Sequence, residues 1–256
     1  MCRLCVGFRF ISSVGKKSLK VAVMDLTQAQ FDVLSRDLRQ IVLRIPLAWG
    51  HIQNNPYDRE LEKVCNIFDV VSLSDFENHI SGFDADHKQY YLRRWFILRC
   101  AECDEFLFYK NEGVEHNPNR FDKKWDIRIK NGVQFDVKGT IIPHCFQYYY
   151  GDVLANPSGI VEYYYDHQSP GKRYDMQNRL FIVHHSLAAP ERELKIRCGW
   201  RSKEYVFSSF VKEVDNIHFM SYKGQMAGVI FLVETAPGEL QYIISGLDTE
   251  LKSIPH

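Results

Sequence analysis

Residues 125–140 read WDIRIKNGVQFDVKGT, and the fold turns on how this stretch pairs with itself. Trp125, Ile127 and Ile129 alternate with Asp126, Arg128 and Lys130. Beyond Asn131-Gly132, the apolar Val133, Phe135 and Val137 alternate with Gln134, Asp136 and Lys138. Period-two alternation on both sides of Asn-Gly predicts a β-hairpin. Cross-strand neighbours project to the same face, so the apolar sets must pair with each other. A two-residue loop would pair Lys130 with Val133 and mix the faces. A three-residue loop, Lys130-Asn131-Gly132, pairs Ile129 with Val133 and Ile127 with Phe135, and puts Gly132 where a left-handed residue is required. A one-residue slip would turn every side chain over, so the odd loop is the expected register.

That register sets Asp126 opposite Asp136, with Lys138 two residues further along the same face. Opposed like charges destabilise a sheet, and carboxylates roughly 5 Å apart on that geometry need a cation or a shared proton. A hard divalent ion such as Mg²⁺ binds through one or two carboxylates and keeps several waters. A neighbouring lysine would stabilise developing negative charge. The plain alternative is a solvent-facing hairpin with alternating charges.

Helical signals precede the hairpin. Thr27 is a candidate N-cap for a helix carrying Phe31, Leu34, Leu38, Ile41 and Ile45, with Pro46 at its end. Two shorter helices are expected in RELEKVCNIFDVV and SDFENHISGF, the second capped by Ser74. Asp84 caps a long one, ADHKQYYLRRWFILRCAECDEFLFYKN. EGVEHNPNRFDKK reads as a polar loop. After the hairpin, GIVEYYYD and NRLFIVHHS read as strands, SKEYVFSSFVKEVDNI as a helix, and GVIFLVET and LQYIISGL as two more strands. The expected class is α/β (α+β): a central mixed sheet between helical layers, with an N-terminal helical addition. The expected organisation is a tail at 1–23, a helical region at 24–84 and an α/β core at 85–256. Residues 1–23 are basic and weakly periodic, and read as an added tail, a mobile arm, a misread start codon or a mitochondrial-type presequence.

Asp126, nine intervening residues, then Asp136-Val137-Lys138 resembles the motif of the PD-(D/E)xK nuclease superfamily, with its restriction-endonuclease-like fold. The resemblance covers roughly residues 88–235; Trp125 stands where the family's proline would precede the first aspartate. It implies Asp126 and Asp136 as ligands for Mg²⁺ (or Mn²⁺), Lys138 as the catalytic lysine, and a glutamate from the preceding helix. Glu102 continues the apolar line Tyr91, Trp95, Leu98 and is preferred; Glu105, on the neighbouring line with Leu98, Ala101 and Phe108, is the alternative. Acids on a buried helix face need a partner, although Arg93, Arg94 or Arg99 would also serve. The implied activity is that of a Mg²⁺-dependent endonuclease acting on DNA, with a restriction-type homodimer as the leading setting. A non-catalytic binding module and an RNA-processing nuclease are the alternatives.

Lys123, Lys124, Arg128, Lys130, Lys172 and Arg173 are the candidate phosphate contacts. Gly139 would let backbone approach a ligand. The tyrosine runs 148–150 and 163–165 read chiefly as packing. Cys2-x-x-Cys5 and Cys100-x-x-Cys103 read as thiols rather than a metal site, and of His184-His185 one is expected to face the core. Thirty-two basic residues balance 32 acidic ones. That argues against a protein that coats nucleic acid non-specifically, but not against a local basic cleft. The absence of a long apolar run and the seven scattered cysteines fit a reduced cytoplasmic setting without a membrane span.

Overall fold

The computed structural model describes residues 25–45, 55–119, 122, 124–167, 177–189 and 192–255. The expected tail at 1–23, the Pro46 stop, Cys2 and Cys5 lie outside these residues. Four α-helices open the described chain: α1 (Gln28–Ile41), α2 (Pro56–Val64), α3 (Leu73–His79) and α4 (Ala85–Tyr109). Thr27 caps α1 in a full capping box with Gln30. Asp84 caps α4 through the His87 amide. The cap of α3 is Ser72, which accepts from the Asp75 amide; the expected Ser74 lies inside the helix.

Three strands follow α4: β1 (Val114–His116), β2 (Ile127–Ile129) and β3 (Gln134–Ile141). The stretch read as a polar loop thus begins with a short strand, fixed by pairing Val114 with Ile129 and His116 with Ile127. The hairpin adopts the odd loop. Ile127 pairs with Phe135, the Ile129 amide donates to the Val133 carbonyl at 2.9 Å, and Gly132 has φ +87°.

Two helices, α5 (Tyr150–Ala155) and α6 (Ser158–His167), separate β3 from β4 (Arg179–Ser186). The expected strand at GIVEYYYD is therefore helical. Its β-branched and aromatic content suggests a strand, but such preferences yield to packing. Ile160, Val161 and Tyr164 are buried while Glu162 and Asp166 are exposed, which is a one-sided helical stripe. After β4 come α7 (Glu193–Arg197), α8 (Trp200–Glu213), β5 (Met220–Tyr222), β6 (Gln225–Ala236), β7 (Glu239–Ile244) and β8 (Lys252–Ser253).

The strands form one mixed sheet in the order β1-β2-β3-β4-β6-β7-β8, with β5 on β6. Pairs β3–β4 and β4–β6 are parallel and the others antiparallel. Strand β4 is buried along its whole length, as expected of a central parallel strand covered on both faces. One face, with Phe135, Val137, Leu180 and Ile182, packs on α4 and α8; the other, with Phe181, Val183, Val229 and Phe231, packs on α6. The protein is thus a three-layer α+β fold. Leu34, Leu38, Leu61 and Phe76 from the first three helices join the same cluster as α4 and the sheet. The N-terminal helices are therefore an extension of the core rather than a separate body. No helix among the described residues is long and apolar enough to cross a membrane.

Candidate functional site

The hairpin presents its polar side at the inner edge of the sheet. The regular β2–β3 pairing ends one residue after Asp126, whose amide still donates to the Phe135 carbonyl at 2.8 Å and whose carboxylate Oδ2 accepts from the Val137 amide at 2.7 Å. This differs from a simple cross-strand opposition of two acids, because the ladder ends at Ile127–Phe135. The Asp136 amide turns the other way and donates to the Asn178 carbonyl at 2.9 Å.

Lys138 binds the two acids together. Its Nζ lies 2.5 Å from Asp136 Oδ1 and 3.9 Å from Asp126 Oδ2, and donates to the Val137 carbonyl at 3.3 Å. The Asp136 side chain is 3% exposed, whereas those of Asp126 and Lys138 are 25% and 32% exposed. The site therefore opens to solvent on the Asp126–Lys138 side. Burial, and after it the Glu105 and Asp136 carboxylates, push the Asp126 carboxyl up to about 8, although the Lys138 ammonium and the Val137 amide act in the opposite sense.

Of the two helix acids, Glu105 is the one whose charge acts on Asp126. It meets His116 of β1, whose Nε2 is 3.4 Å from Glu105 Oε2 and whose Nδ1 is 2.7 Å from Asp25 Oδ1. Burial opposes charge on His116, but these two carboxylates outweigh it and raise the ring to about 9. Glu102, the acid preferred from the helical line, forms an ion pair with Arg99. The two glutamates are three residues apart, so they point about 60° apart around the helix.

Two carboxylates and the Val137 carbonyl surround the Lys138 ammonium, and all three supply oxygen, the donor type a hard divalent ion takes. The Lys138 ammonium lies 2.5–3.9 Å from all three. Among the described residues no group of three or more His, Cys, Asp or Glu stands at metal-holding spacing. A set of two acids and a carbonyl is not of that kind.

The other predicted residues fall in several places. Lys124 and Lys130 are exposed near the hairpin. Arg128 pairs with Glu115 at 3.0 Å and lies 4.6 Å over the Trp125 ring. Lys123, Lys172 and Arg173 lie outside the described residues. At Gly139 a Cβ would stand 2.8 Å from Arg197 Nη1, so the backbone lies close to that guanidinium. His184 and His185 are both buried, on opposite faces of β4. His184 is held to the Thr140 carbonyl at 3.0 Å and His185 faces Glu193 at 3.2 Å. Cys100 and Cys103 are buried thiols in α4, which burial pushes well up.

Two residues near the site carried no signal in the sequence. His116 sits in a stretch that reads as a loop, and Arg179 opens β4. The parallel register β3–β4 pairs Arg179 with Asp136, a contact across 43 residues that local patterns do not encode. Comparison of the chain with family models, curated proteins and solved structures finds no match.

Proposed function

We propose that this protein is a Mg²⁺-dependent nuclease that hydrolyses phosphodiester bonds in DNA, most simply a restriction-type endonuclease working as a homodimer in the cytoplasm. The observation that carries the reading is the convergence of Asp126, Asp136, the Val137 carbonyl and Lys138 at one partly open point. The αβββ order of α4 and β1–β3, with the motif at the hairpin, accords with the resemblance to the PD-(D/E)xK superfamily.

Asp126 and Asp136 would hold the metal ion, with the Val137 carbonyl beside them. The ion, when bound, polarises a phosphate oxygen and lowers the pKa of a coordinated water. Lys138 then has two tasks on one flexible arm. Its Nζ hydrogen-bonds the attacking water or a non-bridging phosphate oxygen, and its charge offsets the negative charge that builds up as the phosphorus–oxygen bond breaks. The buried Asp136 supplies a fixed point, whereas the half-open Asp126 and Lys138 face the solvent side from which a backbone phosphate arrives. Glu105, anchored by His116, adds negative charge on the α4 side and strengthens the pull on a divalent cation.

Plasmid digestion tests the reading. The parent chain is expected to cut in Mg²⁺ and not in EDTA, and Asp136→Ala and Lys138→Ala are expected to abolish cutting while still folding. Equal cutting by the variants would mean a contaminant. Cleavage of an RNA substrate in preference to the plasmid would reassign the substrate but leave the chemistry intact.

A further inference from the structure

Resting on that nuclease reading, we infer that Arg179 is a positioning residue that fixes the orientation of the Asp136 carboxylate and so presents Oδ1 for the metal ion. Asp136 meets cations on both sides: Lys138 Nζ is 2.5 Å from Oδ1 and Arg179 Nε is 3.5 Å from Oδ2. The two cations differ in freedom. The Lys138 side chain is 32% exposed and the Arg179 side chain 6%. Lys138 has room to yield Oδ1 to an incoming ion and turn to phosphate. Arg179 lies too deep to reach a phosphate and stays with Oδ2.

Arg179 is itself fixed. Its guanidinium stacks 4.9 Å over the Tyr165 ring. The Tyr165 hydroxyl donates to the Gln177 carbonyl at 2.9 Å and to the Met226 carbonyl at 3.3 Å. The strand register sets Arg179 beside Asp136, and the Asn178 side chain accepts from the Met226 amide at 2.9 Å. Strands β3, β4 and β6 and helix α6 thus meet beneath one carboxylate. A planar guanidinium on an aromatic shelf defines a direction that a lysine ammonium does not. A carboxylate free to rotate would offer its ion either oxygen and lose the alignment with Asp126 on which a shared ion depends.

The bland alternative is that Arg179 only balances the charge of a buried acid. The two accounts predict opposite effects on metal binding. If Arg179 supplies charge alone, removing it exposes the ion to an uncompensated carboxylate and tightens binding, and lysine replaces it fully. If it positions Asp136, both replacements weaken binding.

Mn²⁺ binding to the full chain, followed by electron paramagnetic resonance of the free ion without nucleic acid, separates them. Asp136→Asn is the control that removes the site. Arg179→Lys and Arg179→Met are expected to weaken Mn²⁺ binding about tenfold, on the order of one lost charged contact. Tyr165→Leu, which keeps the charge and removes the shelf, is expected to shift it in the same direction and carries the test if Arg179→Met does not fold. Wild-type affinity in Arg179→Lys and Tyr165→Leu, or tighter binding in Arg179→Met, would overturn this inference alone. Wild-type protein that binds no Mn²⁺, or binds it as Asp136→Asn does, would overturn the nuclease reading and this inference with it.

Discussion

Asp126→Asn should make the metal-free protein more stable at neutral and alkaline pH, and the effect should vanish in acid. The Asp126 carboxyl titrates at about 8 in the fold, against 3.8 for an ordinary aspartate. Burial is the first cause and the Glu105 and Asp136 charges add to it, against the lowering by Lys138 and the Val137 amide. Below pH about 4 the group is protonated in both states and contributes nothing. Between pH about 4 and 8 the unfolded chain has lost a proton that the folded chain keeps, so stability falls as pH rises. Above about 8 the deficit is complete. Converted in full at about 1.4 kcal/mol per pKa unit, the deficit would be about 6 kcal/mol. The side chain is 25% exposed, and solvent relaxation around it reduces this to roughly 1–3 kcal/mol. Asparagine keeps an oxygen to accept from the Val137 amide and loses the charge. At about 2–4 °C per kcal/mol for a chain of this size, the variant should melt several degrees above wild type at pH 8 in EDTA. The gap should close towards pH 4.5. Added Mg²⁺ should stabilise wild type at pH 8 by binding the folded state and leave the variant unmoved. A variant no more stable than wild type at pH 8, or a gap that does not depend on pH, would refute the electrostatic account of this site.

Five other substitutions probe the surrounding fold. Gly246→Ala should cost more than about 3 kcal/mol of unfolding free energy by urea titration, because a Cβ there meets the His218 carbonyl oxygen at 2.1 Å; Gly224→Ala, with a similar φ and open space, should cost only about 1–2 kcal/mol. Lys203 and Asp104 form a buried pair at 2.8 Å, so Lys203→Met should destabilise by about 3–5 kcal/mol and the double variant with Asp104→Leu should recover much of that loss. His116, raised to about 9 between Asp25 and Glu105, contributes stability that is complete below pH about 6.5 and lost as pH rises through about 9. His116→Asn should therefore be less stable than wild type at pH 6 by an amount on the order of 1–2 kcal/mol, with the difference shrinking by pH 9.5 in parallel melting curves.

What the sequence made legible was governed by short-range rules. Thr27 and Asp84 announce helices because a side chain three residues from an amide can cap it. The hairpin register follows from matching two alternating sets across a loop that needs a left-handed residue, and Gly132 supplies it. The misreadings arise where distant partners decide. Strand β1 is three residues long and exists because β2 pairs with it. Tyr163 to Tyr165 have strand-like composition, yet a surface lined by Phe181 and Val229 calls for a helix with Ile160, Val161 and Tyr164 on one side.

Glu102 and Glu105 are not separated by the pattern of α4 alone. Periodicity assigns a helix face only when one side is polar. Helix α4 is buried at Tyr90, Tyr91 and Leu92 and again at Phe106, Leu107 and Phe108, so its apolar residues run round the whole circumference and give no angular reference. The reference comes from outside the helix. His116 on β1 meets Glu105, and buried Arg99, fully desolvated on its own helix, draws Glu102. The acids at the hairpin are legible for the opposite reason, since they break a local rule. A sheet selected for stability alone would not desolvate Asp126 beside Glu105 and Asp136, where burial first and those charges after it push its carboxyl up to about 8. Conflicts between local preference and fold are expected at functional sites, and on the proposed reading a bound cation would offset the charge that Asp126 and Asp136 bring together.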